Sequence, residues 1–153
     1  MFNIELHDQK SQPVLSIRKK TTIEELPKLI GENYGKIVSY LNELNEKPVD
    51  VPFTAYYNLD VNNLDVEMGF PVSKPLPGKE KDGIVYREIP AGKIVTATYK
   101  GAYSGMEKVY EGAFKWINTE DLEPLGVYYE YYYNSPKDVP ESELLTKIVI
   151  PVK

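Results

Sequence analysis

The sequence predicts an α+β fold: a βαββ unit duplicated along the chain, with antiparallel sheets about a pseudo-twofold and a ligand groove between the copies. Three observations predict it. Two amphipathic helical stripes each follow a strand and precede a hairpin. Tyr56-Tyr57-Asn58 recurs as Tyr132-Tyr133-Asn134 at an offset of 76. Gly69-Phe70-Pro71-Val72 resembles Val149-Ile150-Pro151-Val152 at an offset of 80, and the longer second hairpin turn absorbs the difference. Residues 1–153 are read as a single domain: repeat unit 1 over about 1–72, a linker over about 73–83 and repeat unit 2 over about 84–153. One unit alone buries too little apolar surface, so two are expected to share a fold.

In chain order, Val14-Leu15-Ser16-Ile17 is the first strand candidate. Thr22-Ile23-Glu24-Glu25 has the form of a capping box, with Thr22 as cap and Glu25 three residues on. Leu26, Ile30, Tyr34, Ile37, Val38, Leu41 and Leu44 then recur at helical spacing, and Lys47-Pro48 closes the helix. Phe53 to Tyr57 reads as a strand, Asn58 to Asn63 as a turn, and Leu64 to Phe70 as the returning strand. The Pro- and Gly-bearing stretch after it is the natural linker. Ile84–Ile89 and Lys93–Lys100 are strands around Pro90-Ala91-Gly92. Ser104-Gly105-Met106-Glu107 is a second capping box, and Met106, Val109, Tyr110, Ala113, Phe114 and Ile117 form a second apolar stripe. Val127–Tyr133 and Leu144–Val152 form the closing hairpin.

Composition narrows the chemistry. Eighteen Lys+Arg against 23 Asp+Glu give a net charge of -5, and neither half is basic, which argues against direct DNA binding. With no cysteine and only His7 as histidine, disulfides, thiolate metal sites and Ser-His-Asp triads are excluded or improbable, and neither a metal nor a cofactor is expected. The start lacks a signal peptide pattern and no apolar run reaches membrane-spanning length, so the expectation is a cytoplasmic protein without a membrane partner. The anomaly is tyrosine: 13 Tyr against 4 Phe and 1 Trp.

Five of those tyrosines surround Glu130 in Val127-Tyr128-Tyr129-Glu130-Tyr131-Tyr132-Tyr133. Strand alternation places Tyr128, Glu130 and Tyr132 on one face. Under the repeat Glu130 corresponds to Thr54, so the acid breaks the pseudo-symmetry. Pattern alone leaves two readings. Glu130 is either a solvated residue among tyrosines chosen for β propensity, or the acid of an aromatic-walled pocket. Tyr56, the repeat counterpart of Tyr132, is a wall candidate; Tyr103 and Trp116 are either wall or packing residues. Met68 is a core residue by spacing and an adaptable wall group by chemistry. Tyr110 and Phe114 fit the buried stripe, and the run Arg18-Lys19-Lys20 reads as a solvated patch.

Phe53-Thr54-Ala55-Tyr56-Tyr57, Ile89-Pro90-Ala91-Gly92-Lys93, Tyr99-Lys100-Gly101-Ala102-Tyr103, Glu130-Tyr131-Tyr132 and Thr146 to Val152, in that order, resemble the GyrI-like small-molecule-binding superfamily. That superfamily includes effector-binding domains of AraC-type and multidrug-sensing bacterial regulators. The resemblance implies two SHS2-type units, a ligand groove and a functional acid in a Glu-x-Tyr strand motif, here Glu130-Tyr131-Tyr132. The chain departs from the family's frequent Gly-Pro-Tyr by having Gly101-Ala102-Tyr103 before its second helix. It resembles an effector domain standing alone, with a partner regulator as one expected associate. Three functions follow as expectations. The first is binding of lipophilic, cationic or aromatic small molecules for sensing or sequestration, through Glu130, Tyr132, Tyr128, Tyr56, Tyr103, Trp116 and Met68. The second is hydrolysis of cyclopropane-bearing electrophiles, with Glu130 as general acid/base and Tyr103 assisting. The third is a gyrase-inhibitor-like protein-interaction module.

Overall fold

Apolar residues on alternate positions make the strands, and apolar residues at helical spacing make the two helices that cover them. The computed structural model of the chain describes residues 2–153. Its strands are β1 (Phe2–Gln9), β2 (Gln12–Thr21), β3 (Phe53–Tyr56), β4 (Leu64–Pro71), β5 (Val85–Ile89), β6 (Gly92–Lys100), β7 (Tyr128–Tyr132) and β8 (Leu145–Pro151). The helices are α1 (Leu26–Glu43) and α2 (Met106–Thr119). The fold class is α+β with antiparallel pairing, as the sequence predicts.

The first compact unit is Lys10–Ala91. Its strands lie in the order β3-β4-β2-β5. Ile37 and Leu41 of α1 pack on Leu15, Ile17 and Phe70, and Leu26 packs on Leu64, Val66 and Met68. Gly69 is required there, because a Cβ would come within 2.6 Å of the Leu15 carbonyl oxygen and 2.9 Å of the Phe53 ring. The second unit joins the segment ending at Gln9 to Gly92–Lys153, with strand order β1-β6-β8-β7. Val109, Ala113 and Ile117 of α2 pack on Val95, Ala97, Ile148 and Ile150.

The chain path differs from a division at 73–83. Residues 2–9, not foreseen as a strand, pair with β6 from Phe2↔Tyr99 to Gln9↔Gly92. β5 pairs with β2, from Gln12↔Ile89 to Ser16↔Val85. Each unit therefore completes its sheet with a strand from the other half of the sequence. The alternation of Phe2, Ile4 and Leu6 with Asn3, Glu5 and His7 was the signal that could have found β1, an edge strand whose described side chains are mostly exposed, Leu6 among them at 43%. Nor is 73–83 a free linker: the Tyr40 hydroxyl donates to the Pro77 carbonyl (2.9 Å), and Lys79 exchanges backbone hydrogen bonds with Ile84.

The helix entries also depart from the expected capping boxes. Thr22 Oγ1 accepts from the Glu25 N–H at 3.4 Å, but 23–25 is a turn and α1 starts at Leu26, with Pro27 in its first turn. Before α2, Tyr103–Gly105 is a 3₁₀ turn and Ser104 does not cap. The repeat itself is exact in register. Thr54↔Met68 and Tyr56↔Val66 in one unit match Glu130↔Ile148 and Tyr132↔Thr146 in the other, at the offsets of 76 and 80 seen in the sequence. The asparagine of the repeated Tyr-Tyr-Asn motif is a hairpin latch in both. Asn58 donates to Asn63 O and accepts from Asp65 N; Asn134 donates to Glu143 O and accepts from Leu145 N. Among the described residues, no helix is long and apolar enough to cross a membrane.

Candidate functional site

The site grows from β7, whose even-numbered residues face α2. Glu130 is half-buried there. The Tyr110 hydroxyl from α2 donates to Glu130 Oε2 at 2.6 Å, and the Tyr132 hydroxyl, two residues along its own strand, donates to Oε1 at 2.7 Å. No cationic side chain among the described residues pairs with it. Burial raises the Glu130 carboxyl above its usual range, and the two hydroxyl donors only partly oppose that. A carboxylate held only by neutral donors is one whose charge lacks a counterion.

Aromatic rings extend from this acid in both directions. Tyr110 and Phe114 stack at 6.1 Å, and Tyr128 meets both edge-on, at 6.3 and 5.5 Å. Tyr132 meets Tyr103 edge-on at 6.1 Å. Tyr103 is 42% exposed and stands at the start of the 3₁₀ turn before α2. Burial, and then the Glu130 charge, raise its hydroxyl pKa. Its loop is fixed by Tyr99, whose hydroxyl donates to the Ala102 carbonyl at 2.8 Å. The loop wraps that hydroxyl so closely that a Cβ at Gly101 (φ 150°) would lie 2.6 Å from it, and one at Gly105 nearer still. Trp116 is partly buried against the apolar core beneath α2, a core-edge position.

The remaining two candidates belong to the 10–91 unit. Met68 is fully buried among Leu26, Leu64 and Val66, where Asn33 Nδ2 lies 3.6 Å from its sulfur. Tyr56 packs on the edge of the same cluster. The counterpart of the Tyr110–Glu130 bond is also in this unit: the Tyr34 and Thr54 hydroxyls bond at 3.0 Å. Tyr34 and Tyr110 are 76 residues apart, as are Thr54 and Glu130. One scaffold thus carries a neutral pair in one copy and an acid in the other. Tyr110 read as core from its spacing; the offset from Tyr34 was the signal that could have found it.

A second buried carboxylate shows the contrast. The Glu67 side chain on β4 is 2% exposed, yet every oxygen is occupied. Arg87 grips it twice at 2.6 Å, Tyr57 donates at 2.6 Å and Ser16 at 2.5 Å. Burial alone would raise its pKa, but the Arg87, Ser16 and Tyr57 hydrogen bonds and the Arg87 charge outweigh it, so the net direction is downward. Arg18 lies 3.7 Å over the Tyr57 ring and is held by Asp65 at 2.8–2.9 Å. Glu67 is a filled structural ion pair. Among the described residues, no group of three His, Cys, Asp or Glu is placed to hold a metal.

The GyrI-like small molecule binding domain family model matches residues 2–153. No curated protein matches. The chain is similar to EcmrR in its DNA complex (21% identity, TM-score 0.84), covering 99% of this chain but only 57% of EcmrR. It is also similar to the EcmrR C-terminal domain, of which it covers 98% (TM-score 0.77). A Listeria innocua hydrolase aligns at 12% identity and TM-score 0.70, covering 98% of this chain and 91% of that one. SAV2435, solved bound to tetraphenylphosphonium, aligns at 12% identity and TM-score 0.69, covering 99% and 94%. At these identities the likeness is one of fold.

Proposed function

We propose that this chain, which belongs to the GyrI-like small molecule binding domain family, takes lipophilic organic cations against Glu130, for sensing or sequestration in the cytoplasm, alone or beside a partner regulator. The observation that carries the reading is the unneutralised acid. Among the described residues Glu130 has two tyrosine hydroxyls and no cationic partner, whereas the buried Glu67 is matched by Arg87. A cation would supply the missing charge, and the rings of Tyr110, Tyr128, Phe114, Tyr132 and Tyr103 would supply π faces, worth roughly 0.5–2 kcal/mol each depending on desolvation. Trp116 is a further wall candidate. SAV2435, solved with a lipophilic cation bound, has the same fold and supports the choice of ligand class.

Binding of tetraphenylphosphonium by isothermal titration calorimetry tests the reading. Wild type is expected to bind, more tightly as pH rises and Glu130 ionises. Glu130→Gln should lose at least about tenfold in affinity, the loss of a partly desolvated charge pairing. Equal affinity in both proteins would sink the role of Glu130.

A second reading rests on one further observation, the part-exposed Tyr103 ring set edge-on to Tyr132 with its hydroxyl within the influence of the Glu130 carboxyl. Glu130 could take a proton from an attacking water and return it to the leaving atom, with Tyr103 orienting the electrophile. The hydrolase from Listeria innocua shares the fold. Consumption of a cyclopropane-bearing electrophile by wild type, abolished in Glu130→Gln, would establish it; no turnover in wild type leaves the binder.

A further inference from the structure

On the helix-facing side of β8 lies a polar atom with no partner. Thr146 is 0% exposed, and its Oγ1 makes no hydrogen bond. Ile148 and Ile150, of the same parity on β8, pack under α2, so Thr146 shares their face. It sits directly opposite Tyr132 on one side and Tyr99 on the other. Glu130 lies diagonally next to it, being paired with Ile148. A buried hydroxyl left unbonded is destabilising, and native interiors seldom leave one without a reason.

The other copy of the scaffold shows what packing alone would select. The repeat counterpart of Thr146 is Val66, opposite Tyr56 and fully buried in an apolar cluster. Valine and threonine have the same shape, so the hydroxyl contributes nothing to filling space. The 92–153 half departs from its twin at two adjacent helix-facing positions, Thr54→Glu130 and Val66→Thr146. The first puts a carboxyl where the twin has a hydroxyl, the second a hydroxyl where the twin has a methyl, and both lie beside Tyr132.

Resting on the cation-binding reading of Glu130, we infer that Thr146 Oγ1 is a second polar anchor of the same site, selecting cations that carry their own N–H. A protonated amine offers hydrogens to the Glu130 carboxylate and to the Thr146 hydroxyl together. A quaternary ammonium satisfies the charge and leaves the hydroxyl unbonded. Thr146 is thereby a specificity-determining residue, and the ligand class sharpens from lipophilic cations to protonated aromatic amines.

A matched probe pair tests this: 1-naphthylmethylammonium and its N,N,N-trimethyl analogue, titrated calorimetrically into wild type, Thr146→Val and Thr146→Ser. Wild type is expected to prefer the primary ammonium by about tenfold, the value of one hydrogen bond to a charged group. Thr146→Val should erase that preference without weakening the quaternary probe, and Thr146→Ser should retain it. The ligand-free Thr146→Val protein should melt about 2–4 °C higher, because a lone buried hydroxyl has been removed. An unchanged preference in Thr146→Val, equal weakening of both probes, or a lower melting temperature would overturn the inference while leaving Glu130 as the cation partner. If wild type binds neither probe nor tetraphenylphosphonium, the cation-binding reading falls, and this inference with it.

Discussion

Glu67 and Glu130 are both withdrawn from water on strands of this chain, and their surroundings drive them in opposite directions. For Glu130, burial raises the native pKa above the ordinary glutamate value of about 4.3. The native state then holds a proton that the unfolded chain has released. Its stabilising contribution is complete below the ordinary value and disappears as pH rises through the native one. Glu130→Gln should therefore gain stability over wild type as pH rises, the difference being small at pH 4 and largest above the native pKa. Urea midpoints at pH 4, 6 and 8 check it; a constant difference would mean that Glu130 titrates normally. Glu67 has the opposite sign. Its pKa is depressed, so its contribution is present above the ordinary value and is lost as pH falls through the native one. Arg87→Met should cost about 3–5 kcal/mol at pH 7, because a buried charge is left alone. That deficit should shrink in acid, as Glu67 becomes protonated in both proteins. A pH-independent deficit in denaturant unfolding would point instead to lost packing.

Among the elements, the helices and the closing hairpins were legible because each is written locally. The stripes of α1 and α2 recur within one or two turns, and the strands carry alternation bounded by turn residues. The Asn58 and Asn134 latches belong to this class, since each motif folds back on its own hairpin. Asn134→Ala removes two hydrogen bonds that hold the 134–145 crossing and should cost about 1–2 kcal/mol. The expected readout is a lowered urea midpoint with an unchanged m-value. What stayed hidden was non-local. The donors to Glu67 stand 51, 10 and 20 residues away in sequence, on three different strands or their ends. Tyr110 hid for a different reason: a tyrosine on an apolar stripe looks like core until its hydroxyl is seen to reach a carboxylate. The 3₁₀ turn at Tyr103 depends on the Tyr99 hydroxyl sitting where glycines leave room, a contact that no capping pattern encodes.

Across the whole molecule, the duplication was readable from two short motifs, and their offsets hold in the strand registers. The exchange of edge strands was not. Local pattern assigns a strand to its neighbours in sequence, whereas the partners of β1 and β5 lie far along the chain, from Ser16↔Val85 to Phe2↔Tyr99. That exchange bears on how the protein is made. The 10–91 unit contains all of its own strands in one continuous stretch, so the emerging chain can finish it before the rest has been synthesised. β1, translated before that unit, has no partner until Gly92–Lys100 appears. This strand therefore emerges before the 10–91 unit and is paired only after it. Its run Glu5-Leu6-His7-Asp8, charged and poorly apolar, suits a segment that must wait in water without sticking to its neighbours.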